Sequence, residues 1–387
     1  MKHHHDRKRD FQFVHEPVEF DKRSEKEKLQ YCLGGTLYMP GTKEVLDKIL
    51  TRHIKAMTSM VMCFEDAIAK ADLPRAEANV LYHLESITGA LDSGRLEIGD
   101  IPLIFLRVRD VGQFREFVGR LDARHARSLS GFVFPKFYTS NATDYLSILY
   151  DLNARLDVEL YGMPILEGRS IAYIETRIEE LCDLRSQLEP FRSQILNVRV
   201  GGTDFSALFG VRRGMNSSIY DIITVRDCLA DILNIFGRSE SGYVVSAPVW
   251  EYFLAYREDD IRGLLEGDLH RSLFNRQQVL NDAIDGLLRE VTLDKANGFI
   301  GKTVIHPSHL RFVNAMQAVT REEHEDAIQI LEASGGVIKS AKANKMNEIE
   351  PHRSWAFQVA SRAEAFGVIE SEADYIKLFF EEDHESV

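Results

Sequence analysis

The stretch "RVGGTDFSALFG", Arg199 to Gly210, decides how the fold is read. It reads as the end of a buried strand, two glycines, one aspartate and the start of a helix. A carboxylate where a strand stops is poorly solvated unless something holds it, so Asp204 is either a helix cap or part of a site. The same grammar recurs on both sides. The apolar runs "GTLYMPG" (35–41), "TSMVMCFEDA" (58–67), "IPLIFLRVRD" (101–110), "GFVFPKF" (131–137), "YGMPILEG" (161–168), "ILNVRVGGTD" (195–204), "GYVVSAP" (242–248) and "GKTVIHP" (301–307) each end in a polar or glycine-rich turn. Between them lie amphipathic runs such as "KEVLDKILTRHIKAM" (43–57), "PRAEANVLYHLESI" (74–87), "IAYIETRIEELCDLRSQL" (171–188) and "YDIITVRDCLADILNIFG" (220–237). Runs rich in Val, Ile, Leu and Phe on both faces predict a parallel sheet covered by helices. Strand and helix alternating about eight times over ~270 residues have the count and length of a (β/α)8 TIM barrel. An open, doubly wound sheet is the alternative, since periodicity does not show closure.

Beyond His306 the pattern turns helical, in "REEHEDAIQILEASG", "PHRSWAFQVASRAEAFGVI" and "EADYIKLFFEED". The expected organisation is an N-terminal arm over 1–30, a barrel catalytic domain over 31–312 and an added C-terminal helical segment over 313–387. The formal net charge is -13 and the longest basic tract is the "HHHDRKR" near the start, so nucleic acid and anionic membranes are excluded as partners. No apolar run approaches ~20 residues and no signal-peptide pattern is present, so a cytoplasmic location is expected. The four cysteines, Cys32, Cys63, Cys182 and Cys228, lack CxxC spacing and read as reduced, buried thiols. His3, His4 and His5 read either as a tag remnant or as native sequence.

In a parallel barrel the active site lies at the C-terminal ends of the strands. Glu65 and Asp66 follow the second strand, Arg107 and Arg109 the third, Lys136 the fourth, Glu167 the fifth and Asp204 the sixth; Lys302 and His306 belong to the eighth. Glu167 and Asp204, on consecutive strands with Gly168, Gly201 and Gly202 beside them, fit a shared Mg2+ site, because that ion takes one or two carboxylates and fills its octahedron with water and substrate. Each alone also fits a helix cap. Of Glu65 and Asp66, strand alternation sends one into the pocket as a general base, with a cap or an ion pair to Arg75 as the structural alternative. Arg107 and Arg109 present guanidinium forks suited to a carboxylate or an enolate oxygen, and Lys136 adds a further cation for substrate. "GFIGKTV" is not a phosphate-binding loop, because Ala296 stands where its first glycine is required. His306 and His309 read as packing at a helix start.

The segments "TLYMPG", "FEDAIAKADLPRAEA", "LRVRD", "FPK", "PILEG", "GGTDFSALFG" and "GKTVIHPSHL", in that order, resemble the citrate lyase β-subunit (HpcH/HpaI aldolase) family, whose members include citryl-CoA and malyl-CoA lyases. The likeness spans residues 31 to 312. It implies a Mg2+-dependent barrel, with Mn2+ as a substitute, that cleaves or forms a carbon–carbon bond next to a thioester or 2-oxo acid. It further implies a small carboxylate or a coenzyme A thioester as substrate and a trimeric or hexameric homo-oligomer. On this resemblance Glu167 and Asp204 are the metal ligands, Arg107 stabilises the enolate, and Glu65 and Asp66 are the acidic pair. The chain departs from the family at Cys63, where an acid is usual, at Arg109, where asparagine is common, and at Gly168, where threonine is usual. A divergent lyase is therefore expected, by a retro-aldol or retro-Claisen route. A condensing enzyme of the malate-synthase type and a non-catalytic metal-binding partner subunit are the alternatives. Arg109 predicts a substrate with one more anionic group.

Overall fold

The computed structural model describes residues 1–8, 10–53, 55–239, 242–253, 279–340 and 345–379. Eight parallel strands run side by side: β1 (Gly35–Pro40), β2 (Ser59–Cys63), β3 (Leu103–Arg107), β4 (Leu129–Phe134), β5 (Tyr161–Leu166), β6 (Val198–Val200), β7 (Val245–Ser246) and β8 (Lys302–Val304). Their order is β7-β6-β5-β4-β3-β2-β1-β8, so the two ends of the sheet are the neighbours that a ring must join. The gap between β7 and β8 is spanned by a bridge from Ala247 to Lys302, with Ala247 N–H donating to Gly301 O and Thr303 N–H to Ala247 O, each at 3.1 Å. Of the two topologies open from the sequence, the structure adopts the barrel.

Strands β2, β4 and β5 are buried from end to end, as their apolar character on both faces requires. Helices α1 (Leu73–Asp92), α2 (Val111–Val118), α3 (Ala142–Leu156), α4 (Ile174–Leu188), α5 (Gly202–Leu208), α6 (Ile223–Phe236) and α7 (Asp282–Ala296) lie between them. Pro74 sits in the first turn of α1, where a missing N–H costs no hydrogen bond. The first expected helix is shorter than its pattern: only Leu46–Leu50 is helical, and Arg52 and Ala56 take positive φ angles that no helix accommodates. The run at 171–188 is likewise broken, because extended backbone at Tyr173 separates α4 from a single turn at Arg169–Ala172.

Past the barrel come α8 (Leu310–Gln317), α9 (Arg321–Glu332) and α10 (Ile349–Phe366). The helical character expected there is present, and α9 and α10 enclose a small second core of Val319, Ala327, Ile330, Ile349, Val359 and Val368. Two short pairings were not foreseen. β9 (Val319–Thr320) runs parallel to β12 (Val368–Ile369), and β10 (Val337–Lys339) runs antiparallel to β11 (Met346–Glu348). Of the last predicted helix, Asp374–Lys377 is helical and residues 380–383 lie outside the described residues. No helix among the described residues is long and apolar enough to cross a membrane.

The opening segment is folded in. His3 is fully buried, stacked 4.3 Å from Phe366, with its Nε2 2.9 Å from Cys32 O, and Phe11 and Phe20 join the main core. Of the histidine run, His3 and His4 are packed into the fold and His5 is exposed. Three cysteines are buried as expected, but Cys182 is exposed on the outer face of α4; all four are free thiols.

Candidate active site

The C-terminal ends of the strands surround a cavity of about 420 Å³, lined among others by Tyr38, Cys63, Asp66, Arg107, Glu167, Arg199, Asp204 and Thr303. Leu166 pairs with Val200, so the loops after β5 and β6 leave the barrel side by side. Glu167 follows β5 directly. Asp204 lies one step further on than the sequence implied: β6 stops at Val200, and the aspartate occupies the first turn of α5. Neither carboxylate caps its helix. The two turn towards each other instead. A Cβ built on Gly201 would meet Glu167 Oε2 at 2.5 Å and Asp204 Oδ2 at 3.2 Å, so both oxygens crowd a cradle that only glycine leaves open.

Two neighbouring carboxylates in a buried place repel. Burial, then the charge of Asp204, pushes Glu167 up to about 8, and burial raises Asp204 as well. Such a pair is satisfied either by a shared proton or by a cation. Oxygen-only donors, a glycine cradle and buried like charge fit Mg2+ or Mn2+, which would draw its remaining ligands from water and substrate. Among the described residues no group of three or more His, Cys, Asp or Glu side chains is poised to hold a metal ion.

Lys136 organises the acids. Its backbone is in the left-handed region (φ 47°), a conformation that costs energy for a residue with a Cβ and recurs at functional sites. That turn aims its N–H at Glu167 Oε1, 2.8 Å away. Its Nζ contacts Glu65 and lies 3.4 Å from Asp66 Oδ2. Burial opposes the ammonium charge, but the hydrogen bond and charge of Glu65 outweigh it and hold the lysine above its ordinary range. One acid of the Glu65–Asp66 pair, Asp66, lines the cavity as expected, but not by strand alternation. β2 ends at Cys63, so both acids sit on a loop and both reach Lys136. Glu65 is buried and Asp66 is on the cavity wall. Arg75, offered as their structural partner, pairs with Asp72 instead.

Arg107 is in the cavity, 3.1 Å from Glu65 Oε2, with its Nε 3.0 Å from Cys63 Sγ. The Cys63 thiol thus supports the arginine. Arg109 is not among the cavity-lining residues; it donates to Phe64 O at 3.2 Å and bolts the end of β2 to β3. Gly168 has its own cause, since any side chain there would strike the Tyr138 ring at 2.0 Å. Lys302 is not at the mouth either. It is buried on the outer side of β8, 2.9 Å from Glu290 and 2.7 Å from Asp294. His306 accepts a hydrogen bond from Ser308 N–H in the turn before α8, as its packing assignment anticipated.

Tyr38, Thr303 and, most notably, Arg199 line the cavity without having been singled out from the sequence. Arg199, inside the strand that decided the fold, was read as part of an apolar run, yet its guanidinium donates to Thr303 Oγ1 at 2.9 Å and lies 5.4 Å from the Tyr38 ring. An arginine amid alternating apolar residues was the signal available.

Among solved structures, the protein CitE from Mycobacterium tuberculosis, in complex with magnesium, acetoacetate and coenzyme A, is similar over 86% of this chain and 99% of that one, at 17% identity and a TM-score of 0.51. The citrate lyase beta subunit from M. tuberculosis, complexed with oxaloacetate and magnesium, matches over 73% and 96% at 16% identity, with a TM-score of 0.41. The Haloferax volcanii malate synthase magnesium/glyoxylate complex matches over 71% and 72% at 14% identity, with a TM-score of 0.47. At these identities the likeness is one of fold. A sequence search of curated proteins gives no match. The family model described as carbon–carbon bond lyase of the TIM-barrel fold matches residues 27–368, and the chain belongs to that family.

Proposed function

We propose that this chain is a Mg2+-dependent carbon–carbon lyase that cleaves a hydroxyacyl thioester or a hydroxy-oxo acid. The observation that carries the reading is the convergence of Glu167 and Asp204 on the Gly201 cradle, with Arg107 in the same cavity. Glu167 and Asp204 hold the cation, with Lys136 N–H fixing the orientation of Glu167. The bound ion would orient the substrate and polarise the bond to be broken. Asp66 is the better-placed base, because it faces the cavity while Glu65 is occupied by Arg107 and Lys136. It takes the substrate's hydroxyl proton; the new carbonyl forms as the carbon–carbon bond breaks, and the electron pair passes to an enolate. The Arg107 guanidinium, held by Glu65 and Cys63, is placed to receive the enolate oxygen, which a proton from solvent later quenches at carbon. Glu65 and Cys63 act as positioning residues in this account, and Arg109 as a brace behind Arg107.

The test is product analysis by mass spectrometry after incubation with Mg2+ and a panel of hydroxyacyl-CoA thioesters and hydroxy-oxo acids. Cleavage products that disappear in Arg107→Met and Asp66→Asn support the reading. Intact Mg2+ binding with no turnover of any panel member, in either direction, would replace it with a ligand-binding partner subunit.

A further inference from the structure

The cavity holds a positive charge that no acid among the described residues neutralises. Arg199 is 1% exposed, and among the described residues no Asp or Glu pairs with it. Among the described residues its hydrogen bonds go to neutral hydroxyls, Thr303 Oγ1 at 2.9 Å and Thr36 Oγ1 at 3.4 Å, and its Nε has no partner. Tyr38 lies against it and against Arg107, at 5.4 and 5.6 Å, and the Tyr38 hydroxyl is also buried without a hydrogen bond. Burial raises that phenol above its ordinary range, so it stays a donor. All three residues line the same cavity as Glu167 and Asp204. Arg107 already has Glu65 as a counter-ion; among the described residues Arg199 has none.

A buried cation facing two neutral hydroxyls is unfavourable unless a ligand supplies the charge. We infer that Arg199, with Thr303 and Tyr38, forms a receptor for a second carboxylate, so that the substrate is a diacid whose other oxygen ligands meet the Glu167–Asp204 pair. One uncompensated positive charge matches one carboxylate, and the cavity has room for a small acid of this kind. This rests on the reading of Glu167 and Asp204 as the metal pair. It also moves the extra anionic contact from Arg109, which is outside the cavity, to Arg199.

The experiment compares oxaloacetate with pyruvate, which differ by one carboxylate, by calorimetry in the presence of Mg2+. The wild type is expected to bind oxaloacetate about 10- to 100-fold more tightly, the range set by one charge-assisted hydrogen-bonded contact. Arg199→Met removes that preference by weakening oxaloacetate alone, leaving pyruvate within about twofold, and Arg199→Lys retains part of it. Because the methionine replaces a lone buried charge by an apolar chain, the ligand-free Tm of Arg199→Met is expected to hold or rise. Equal affinities for the two acids in the wild type, or an unchanged preference in Arg199→Met, would overturn the inference. So would a Tm loss in that variant that oxaloacetate selectivity does not accompany. If neither acid binds with Mg2+, or if Glu167→Gln binds both normally, it is the metal reading that fails.

Discussion

Gly201 is the residue on which the site turns. Its missing side chain is the space between Glu167 Oε2 and Asp204 Oδ2. Gly201→Ala would put a methyl group there, and Mg2+ affinity is expected to fall about 10- to 100-fold while the circular dichroism spectrum stays unchanged; this is the range for disturbing groups that orient metal ligands. The raised carboxylates make a second expectation. With Glu167 pushed up to about 8, the metal-free site holds a proton at neutral pH. Mg2+ must displace it, so affinity should rise from pH 6 to about pH 8 and level off above. Titrations in buffers of different ionisation enthalpy are expected to show about one proton released at pH 7 and almost none at pH 9 in the wild type. The sign for stability follows from the same proton. The folded, metal-free protein keeps it where an ordinary glutamate, titrating at 4.5, has lost it, so the contribution of Glu167 to stability without metal falls as pH rises from about 4.5 to 8, and Glu167→Gln should remove that contribution.

At the scale of elements, β8 and α7 are joined by charge as well as by packing. Lys302 on β8 meets Glu290 and Asp294 on α7, Arg213 pairs with Glu290 and Glu251, and Tyr220 donates to Asp294 at 2.7 Å. All the members except Glu251 and Tyr220 are almost fully buried. Lys302→Met leaves three acids, Glu251, Glu290 and Asp294, with Arg213 as the one cation of this network, and is expected to cost about 3 kcal/mol in urea unfolding, at the low end for breaking a buried ion pair. The low end applies because Asp294, raised by burial to about 6 despite Lys302, can take up a proton. Adding Asp294→Asn should then recover part of the loss. The strand ends were readable because apolar runs and the acids after them are local patterns: Glu167 and Asp204 come from two such runs and do converge. Lys302 was misplaced because a strand residue's facing depends on where the strand begins, and β8 begins with it. Arg199 was missed because an inward-facing arginine inside a short apolar strand leaves no periodic mark. The pairing of Glu65 and Asp66 on Lys136 depends on β2 ending at Cys63, a boundary that composition does not set.

Across the whole molecule, the first residues tie the barrel to the C-terminal segment. His3 stacks on Phe366 at the end of α10, and Val14 N–H donates to Val368 O at 2.7 Å. Burial, the largest influence, pushes His3 down to about 3 and His309 down to about 4. In the unfolded chain both titrate near 6.5, so the unfolded state binds more protons as pH falls below that value. The contribution of the two histidines to stability should therefore decline from pH 6.5 towards 4, by up to ~1.4 kcal/mol per pH unit for each. Replacing His3 by phenylalanine, which keeps the stack, is expected to flatten this slope in thermal melts. Family membership and a barrel with its charged groups at one mouth agree on where the chemistry lies, and the metal pair is the claim that joins them. The most direct test is calorimetric titration of Mg2+ into the wild type, Glu167→Gln and Asp204→Asn, each with oxaloacetate present. Binding in the wild type that is lost in both variants is the predicted result. A wild type that takes up no Mg2+, or variants that bind it as the wild type does, would contradict the account.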